Sequence, residues 1–159
     1  MSKFVKAFLF VVLFNNFVAA QNSGFGSLSS DRGKPMQFSS DSLVYNQEEN
    51  AAELFDAVEI RQGNSILSAQ YIKAIYSKTN NKLEKIFAER NVELKSDNDI
   101  ARANNAVYSL TDDTIYLTGN ARLIQGGNNI LADQILINTK TGLTELTGSV
   151  KTIIVPGNN

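Results

Sequence analysis

The sequence predicts an all-β fold built from repeated strand pairs, and three observations carry that expectation. The first is a recurring phrase. Gly119 to Ile137 reads GNARLIQGGNNILADQILI, and the same order of strand, polar turn and strand returns at Asp56 to Ala74 and at Arg90 to Tyr108. Self-similarity of this kind marks a repeat architecture. The second is alternation of apolar and polar residues with period two, the pattern of a strand with one buried face. The third is composition: Val, Ile and Leu in short runs, frequent Asn, Thr, Ser and Gly, two prolines and no tryptophan. That mixture suits many short strands joined by tight turns.

Composition also excludes whole classes of chemistry. A net charge of -1 over 159 residues gives no electrostatic case for nucleic acid. The absence of cysteine and histidine removes disulfides, thiol nucleophiles, histidine bases and the usual zinc sites. Only lysine or a carboxylate could then activate a serine or threonine, and no nucleophile stands with its base. No phosphate-binding glycine motif is present either. No catalytic residue, cofactor or metal is therefore expected, and the chain reads as a non-enzyme.

In chain order, Met1–Ala20 has the form of a secretory signal. Lys3 and Lys6 precede an apolar run from Ala7 to Phe14, and Val18, Ala19 and Ala20 supply small residues before Gln21. The run is short for a membrane span, which needs about 20 apolar residues. Export of the remaining chain is expected. Residues 21–35 are rich in Ser, Gly and Asn and read as a flexible lead-in. Residues 36–156 form the repeat domain, and 157–159 a tail.

Each repeat is marked by a small residue: Ser40, Ala69, Ala103 and Ala132. The strand that follows is marked by Val58, Val92, Ala121 and Val150. From Val58, Val92 and Ala121 the next or preceding small mark recurs at fixed spacing, the step from second mark to small mark being 11 residues each time. One insertion of five residues near Ser77–Lys82 accounts for every irregularity. Apolar residues two before each small mark (Phe38, Leu67, Ala101, Ile130) and three and five after it (Leu43 and Tyr45; Ile72 and Ala74; Ala106 and Tyr108; Ile135 and Ile137) are out of phase by one. A bulge or corner is expected at each mark.

The alternate strands keep phase. Leu54, Val58 and Ile60 share a face, as do Ile86, Ala88, Val92 and Leu94, then Ile115, Leu117, Ala121 and Leu123, then Leu146 and Val150. Turns are expected at Asn46–Asn50, Thr111–Asp113 and Asn138–Gly142 on one side, and at Gln62–Asn64, Ser96–Asp99 and Gln125–Asn129 on the other. The aspartates in them lack calcium-loop spacing. Lys73, Lys78, Lys82 and Lys85 gather around the inserted turn, as a solvated surface or as a contact for lipid phosphates. The first strand (Met36–Tyr45) and the last (Val150–Val155) carry few charges, so Phe38, Leu43, Ile153 and Ile154 are candidates for an assembly edge that pairs with a neighbour by strand addition.

The phrases Leu117-Thr118-Gly119-Asn120-Ala121 and Leu146-Thr147-Gly148-Ser149-Val150 resemble the LptA/OstA family of periplasmic lipopolysaccharide-transport proteins. So do the strand starts Ile130-Leu131-Ala132 and Leu67-Ser68-Ala69, and the closing VKTIIVP of Val150–Pro156. The likeness spans roughly Met36 to Pro156. The corresponding phrases at Phe55–Val58 and Glu89–Val92 lack the glycine. The resemblance implies a twisted, partly open antiparallel β-jellyroll, or β-taco, whose two facing sheets enclose an apolar groove. It implies a periplasmic bridge that carries lipopolysaccharide from the inner to the outer membrane without catalysis. The partners implied are lipopolysaccharide, an LptC-like inner-membrane protein, an LptD-like outer-membrane protein and further copies of the chain stacked head to tail.

On that footing the groove-lining candidates are Val58, Ile60, Leu67, Ile72, Ile86, Val92, Leu94, Tyr108, Ile115, Leu117, Leu123, Ile130, Ile135, Ile137 and Leu146. The residues leave open whether these enclose a groove or pack into a core. They also leave open an LptC-like partner, a ligand-free assembly module of the cell envelope, and a β-helix carbohydrate-active enzyme. The last is disfavoured by acids scattered among the turns rather than clustered.

Overall fold

A computed structural model describes residues 25–154; the predicted signal segment, Met1–Ala20, and the tail at 157–159 lie outside the described residues. After a short helix α1 (Gly26–Asp31) come β1 (Met36–Ser39), β2 (Ser42–Asn46), β3 (Ala51–Gln62), β4 (Ser65–Tyr76), β5 (Leu83–Ser96), β6 (Asp99–Ser109), β7 (Thr114–Gln125), β8 (Asn128–Asn138), β9 (Thr144–Thr147) and β10 (Lys151–Ile153). All pair antiparallel in one sheet. Strands β1 and β2 both pair with β3, and β9 and β10 both pair with β8. They are the two halves of a first and a last strand, each interrupted at its mark.

The marks are corners. Val58 pairs with Ala69, Val92 with Ala103 and Ala121 with Ala132, which is why each couple is 11 residues apart. Beside each couple the register slips, and two residues on one strand face a single residue on its neighbour. The two residues on the bulged strand are left-handed each time, Asp56 and Ala57, Arg90 and Asn91, Gly119 and Asn120, and so are Gly148 and Ser149 in the last copy. A bulge of this type bends the strand sharply. The glycine of the LTG phrase thus serves the corner, and the copies without it adopt the same backbone at a steric cost.

Ala57, at φ 47°, bears that cost most plainly, because it is exposed and alanine gains nothing locally from the left-handed region. A left-handed L-residue costs about 1–2 kcal/mol, partly offset by glycine's greater freedom when unfolded. Ala57→Gly is expected to raise stability by about 0.5–1 kcal/mol in urea denaturation. A loss of stability would show that this corner is not strained.

The corners fold every long strand back on itself. Ile86 and Leu94 are eight residues apart on β5 and would lie about 27 Å apart on a straight strand. Instead both line one small cavity. The sheet is therefore creased along the row of corners into two facing leaves, with one apolar cluster between them running from β3 to β8. Opposite the crease lies a seam. One lip of it is made by the turns at 63–64, 97–98 and 126–127, and the other by the turns at 47–50, 77–82, 110–113 and 139–143. The inserted five residues form the β4–β5 turn, closed by hydrogen bonds from Ser77 N–H to Lys82 O and from Asn81 N–H to Ser77 O.

Candidate functional site

Every repeat contributes apolar side chains to the space between the leaves. Strand alternation aims the residues inward, and the two-residue corner keeps them inward on both leaves. Of the groove candidates, Val58, Ile60, Leu67, Ile72, Ile86, Val92, Leu94, Ile115, Leu117, Leu123, Ile135 and Ile137 are buried. Tyr108, Ile130 and Leu146 are partly buried and pack against the same cluster. Burial raises the Tyr108 phenol above its ordinary pKa, with Thr139 and Arg32 acting the other way.

Where Leu28 meets the two leaves, the interior is tightly packed. An apolar cavity lined by both leaves and by Leu28 is about 30 Å³, too small for a hydrocarbon chain. Side chains from opposing leaves meet across it, Ile60, Leu67 and Leu94 from one and Ile86, Tyr108 and Ile115 from the other. Around this cavity the two leaves pack side chain against side chain.

The ends of the stack differ. Leu43 is 58% exposed, Ile153 62% and Ile154 68%, with Val44 and Tyr45 beside the first of these. Phe38 is partly buried and packs on the core. Val150, which alternation places with Leu146 on the buried face, is 49% exposed instead. It lies between β9 and β10, and among the described residues these two strands pair only with β8. Of the lysines, Lys73 pairs with Glu49 and with Glu53 at 3.5 Å, and Lys85 lies 5.9 Å from the centre of the Phe87 ring. Lys78 and Lys82 are exposed in the β4–β5 turn. Asp112 accepts from the Ser109 hydroxyl at 2.6 Å within its turn, Asp99 accepts from the Gln125 amide of a neighbouring turn, and Asp97 and Asp113 take the left-handed backbone. Among the described residues no group of three or more acids is placed to hold a metal.

One contributor is unexpected. The composition of residues 21–35 predicts a flexible lead-in, yet α1 lies across the seam with Phe25 fully buried and Leu28 nearly so. It is tied to both lips. The Ser27 hydroxyl bonds that of Ser96, and Asp31 accepts the Asn64 N–H at 2.8 Å on one side. Arg32 pairs with Asp113 on the other, where a Cβ added at Gly142 would lie 2.9 Å from Gly26. The available sequence signal was Phe25 and Leu28 themselves, two large apolar residues three apart in a Gly/Ser stretch.

Asp31 is only 2% exposed. Burial by itself raises its carboxyl, but Lys34 at 2.7 Å, the Asn64 N–H and Ser65 outweigh it and hold the group below its ordinary value. A carboxylate lowered in the folded state stabilises above its unfolded pKa, about 3.9, and that contribution is lost as pH falls through the folded value. The hydrogen-exchange protection factors of the amides at 25–32 are therefore expected to fall on acidification below pH 4, before those of the β ladder. Unchanged protection of α1 through that range would contradict the role given to Asp31.

Comparison with known proteins agrees with this geometry. A family model described as LptA/(LptD N-terminal domain) LPS transport protein matches residues 37–143. Among solved structures, the chain is similar to LptH, the LptA homologous periplasmic component of the conserved lipopolysaccharide transport device from Pseudomonas aeruginosa. The TM-score is 0.68 at 20% identity, covering 80% of this chain and 99% of that one. A search of curated proteins finds no match. The twisted, partly open antiparallel β-jellyroll expected from the sequence is the fold observed.

Proposed function

This chain belongs to the family of LptA and LptD N-terminal-domain lipopolysaccharide-transport proteins, and from that premise we propose that it is a periplasmic bridge that takes the acyl chains of lipopolysaccharide between its two leaves. The observation that carries the proposal is the single apolar cluster shared by β3 to β8, lengthwise through the molecule and bordered by a seam. Removing one methylene from water contributes about 0.8 kcal/mol, so a multi-chain lipid crossing an aqueous gap needs a continuous apolar path. Such transfer requires no catalytic group here. Energy for extraction comes from another component.

The ends support stacking. Antiparallel edges with exposed apolar residues, Leu43 to Tyr45 at one end and Val150 to Ile154 at the other, are poorly protected against pairing. We read them as the surfaces that add a second copy head to tail, an LptC-like protein on the inner-membrane side or an LptD-like protein on the outer. Export by the Met1–Ala20 segment belongs to the same proposal.

The packed interior favours a second reading, a ligand-free assembly module. Native mass spectrometry over a concentration series, with and without purified lipopolysaccharide, separates the two. The carrier gives a lipid-bound protomer and longer assemblies carrying lipid. A module assembles and never gains the lipid mass.

A further inference from the structure

We propose that α1 is a displaceable strap: it closes the seam, fills with Phe25 and Leu28 the space that acyl chains need, and must swing out for lipid to load. The inference rests on the carrier reading and adds the port and its gate.

Three features of the strap point this way. Its anchors reach both lips, so the leaves cannot part beside it while it is docked: Ser27 and Asp31 hold Ser96 and Asn64, and Arg32 holds Asp113 on the facing side. Its apolar residues belong to the interior itself. Leu28 lines the 30 Å³ cavity together with Ile86 and Leu94, which come from opposing leaves. With so little space left, Leu28 and a hydrocarbon chain cannot occupy that place together.

The strap is also separable. It makes no rung of the β ladder, and its six residues form a helix with no N-cap side-chain bond, no acid in the first turn and no base in the last. So short a helix does not hold itself together in water, and its order comes from docking. Its polar anchors are groups that water can replace. An acyl chain offers the interior the same burial that Phe25 and Leu28 offer, so strap release and lipid uptake are linked, each favouring the other by the same factor.

The chain has no cysteine, so Ser27→Cys with Ser96→Cys creates one disulfide, at a pair whose hydroxyls already touch. Native mass spectrometry with purified lipopolysaccharide is expected to show at least tenfold less lipid-bound protein for the oxidised form, with binding restored on reduction. Hydrogen exchange of the unmodified chain gives a second readout, with amides 25–32 expected to exchange at least tenfold faster once lipid is bound. Wild-type protein that binds lipid, an oxidised form that binds it equally, and α1 amides equally protected with and without lipid would overturn the strap and leave the carrier reading standing. Wild-type protein that binds no lipid overturns the carrier reading, and the strap as a loading gate with it.

Discussion

Leu117→Ala is expected to lower the stability of the unliganded protein by about 2–5 kcal/mol. Leu117 is 0% exposed and sits mid-leaf on β7, paired with Ala106 on one side and Ile135 on the other. Its neighbours are held by the strand ladder on both sides and cannot collapse into the space it leaves. Against a domain stability of about 5–15 kcal/mol the loss is large. Urea denaturation measures it, with the midpoint moving and the slope unchanged. The outcome also reads out the state of the interior. A loss under about 1 kcal/mol would mean that Leu117 already borders open space, and that the leaves part in solution without a ligand.

The second large effect concerns assembly. Aspartate or proline at Ile153 or Ile154 is expected to weaken head-to-tail association at least tenfold, about 1.4 kcal/mol or more. Both residues are exposed, so aspartate at either, or proline at Ile154 just beyond β10, is expected to leave protomer stability within about 0.5 kcal/mol. A charge there must be desolvated when a new strand pairs on, and a proline removes a backbone donor from the ladder. Sedimentation over a concentration range checks it. Association that persists unchanged in these variants places the joint elsewhere.

Much of this architecture was legible because the corner obeys arithmetic. Two residues inserted at Asp56–Ala57, Arg90–Asn91 and Gly119–Asn120 leave the period-two pattern of β3, β5 and β7 in phase, so alternation alone runs straight through the bend. The opposed strand gains one residue fewer, and there the phase slip between Leu67 and Ile72, or Ile130 and Ile135, exposed the corner. The 11-residue constant between Val58 and Ala69 was their cross-strand pairing seen along the chain. The inward residues followed from parity, because a residue's side of a strand is fixed by counting.

What stayed hidden depends on tertiary contact. Nothing periodic distinguishes Phe25 and Leu28 from a loop, because α1 gains its order from two lips that are about 35 to 115 residues further along the chain. Val150 keeps the right parity and is nevertheless exposed, since it falls in the break between β9 and β10, and among the described residues neither of these strands pairs with any strand but β8. Whether opposing side chains touch or leave a trough is a matter of the angle between leaves, which no pattern of apolar residues encodes.

The account turns on hydrocarbon entering between the leaves, and one residue step separates inside from outside. Leu117 is fully buried, while its neighbour Tyr116 is 37% exposed on the outer face. A photo-crosslinking side chain placed in turn at Leu117, at Ile135 and at Tyr116, irradiated with purified lipopolysaccharide, tests this directly. Transfer of lipid mass from the first two positions and not from Tyr116 is the result predicted. Labelling from Tyr116 alone, or from none of the three while the protein remains folded, would contradict it.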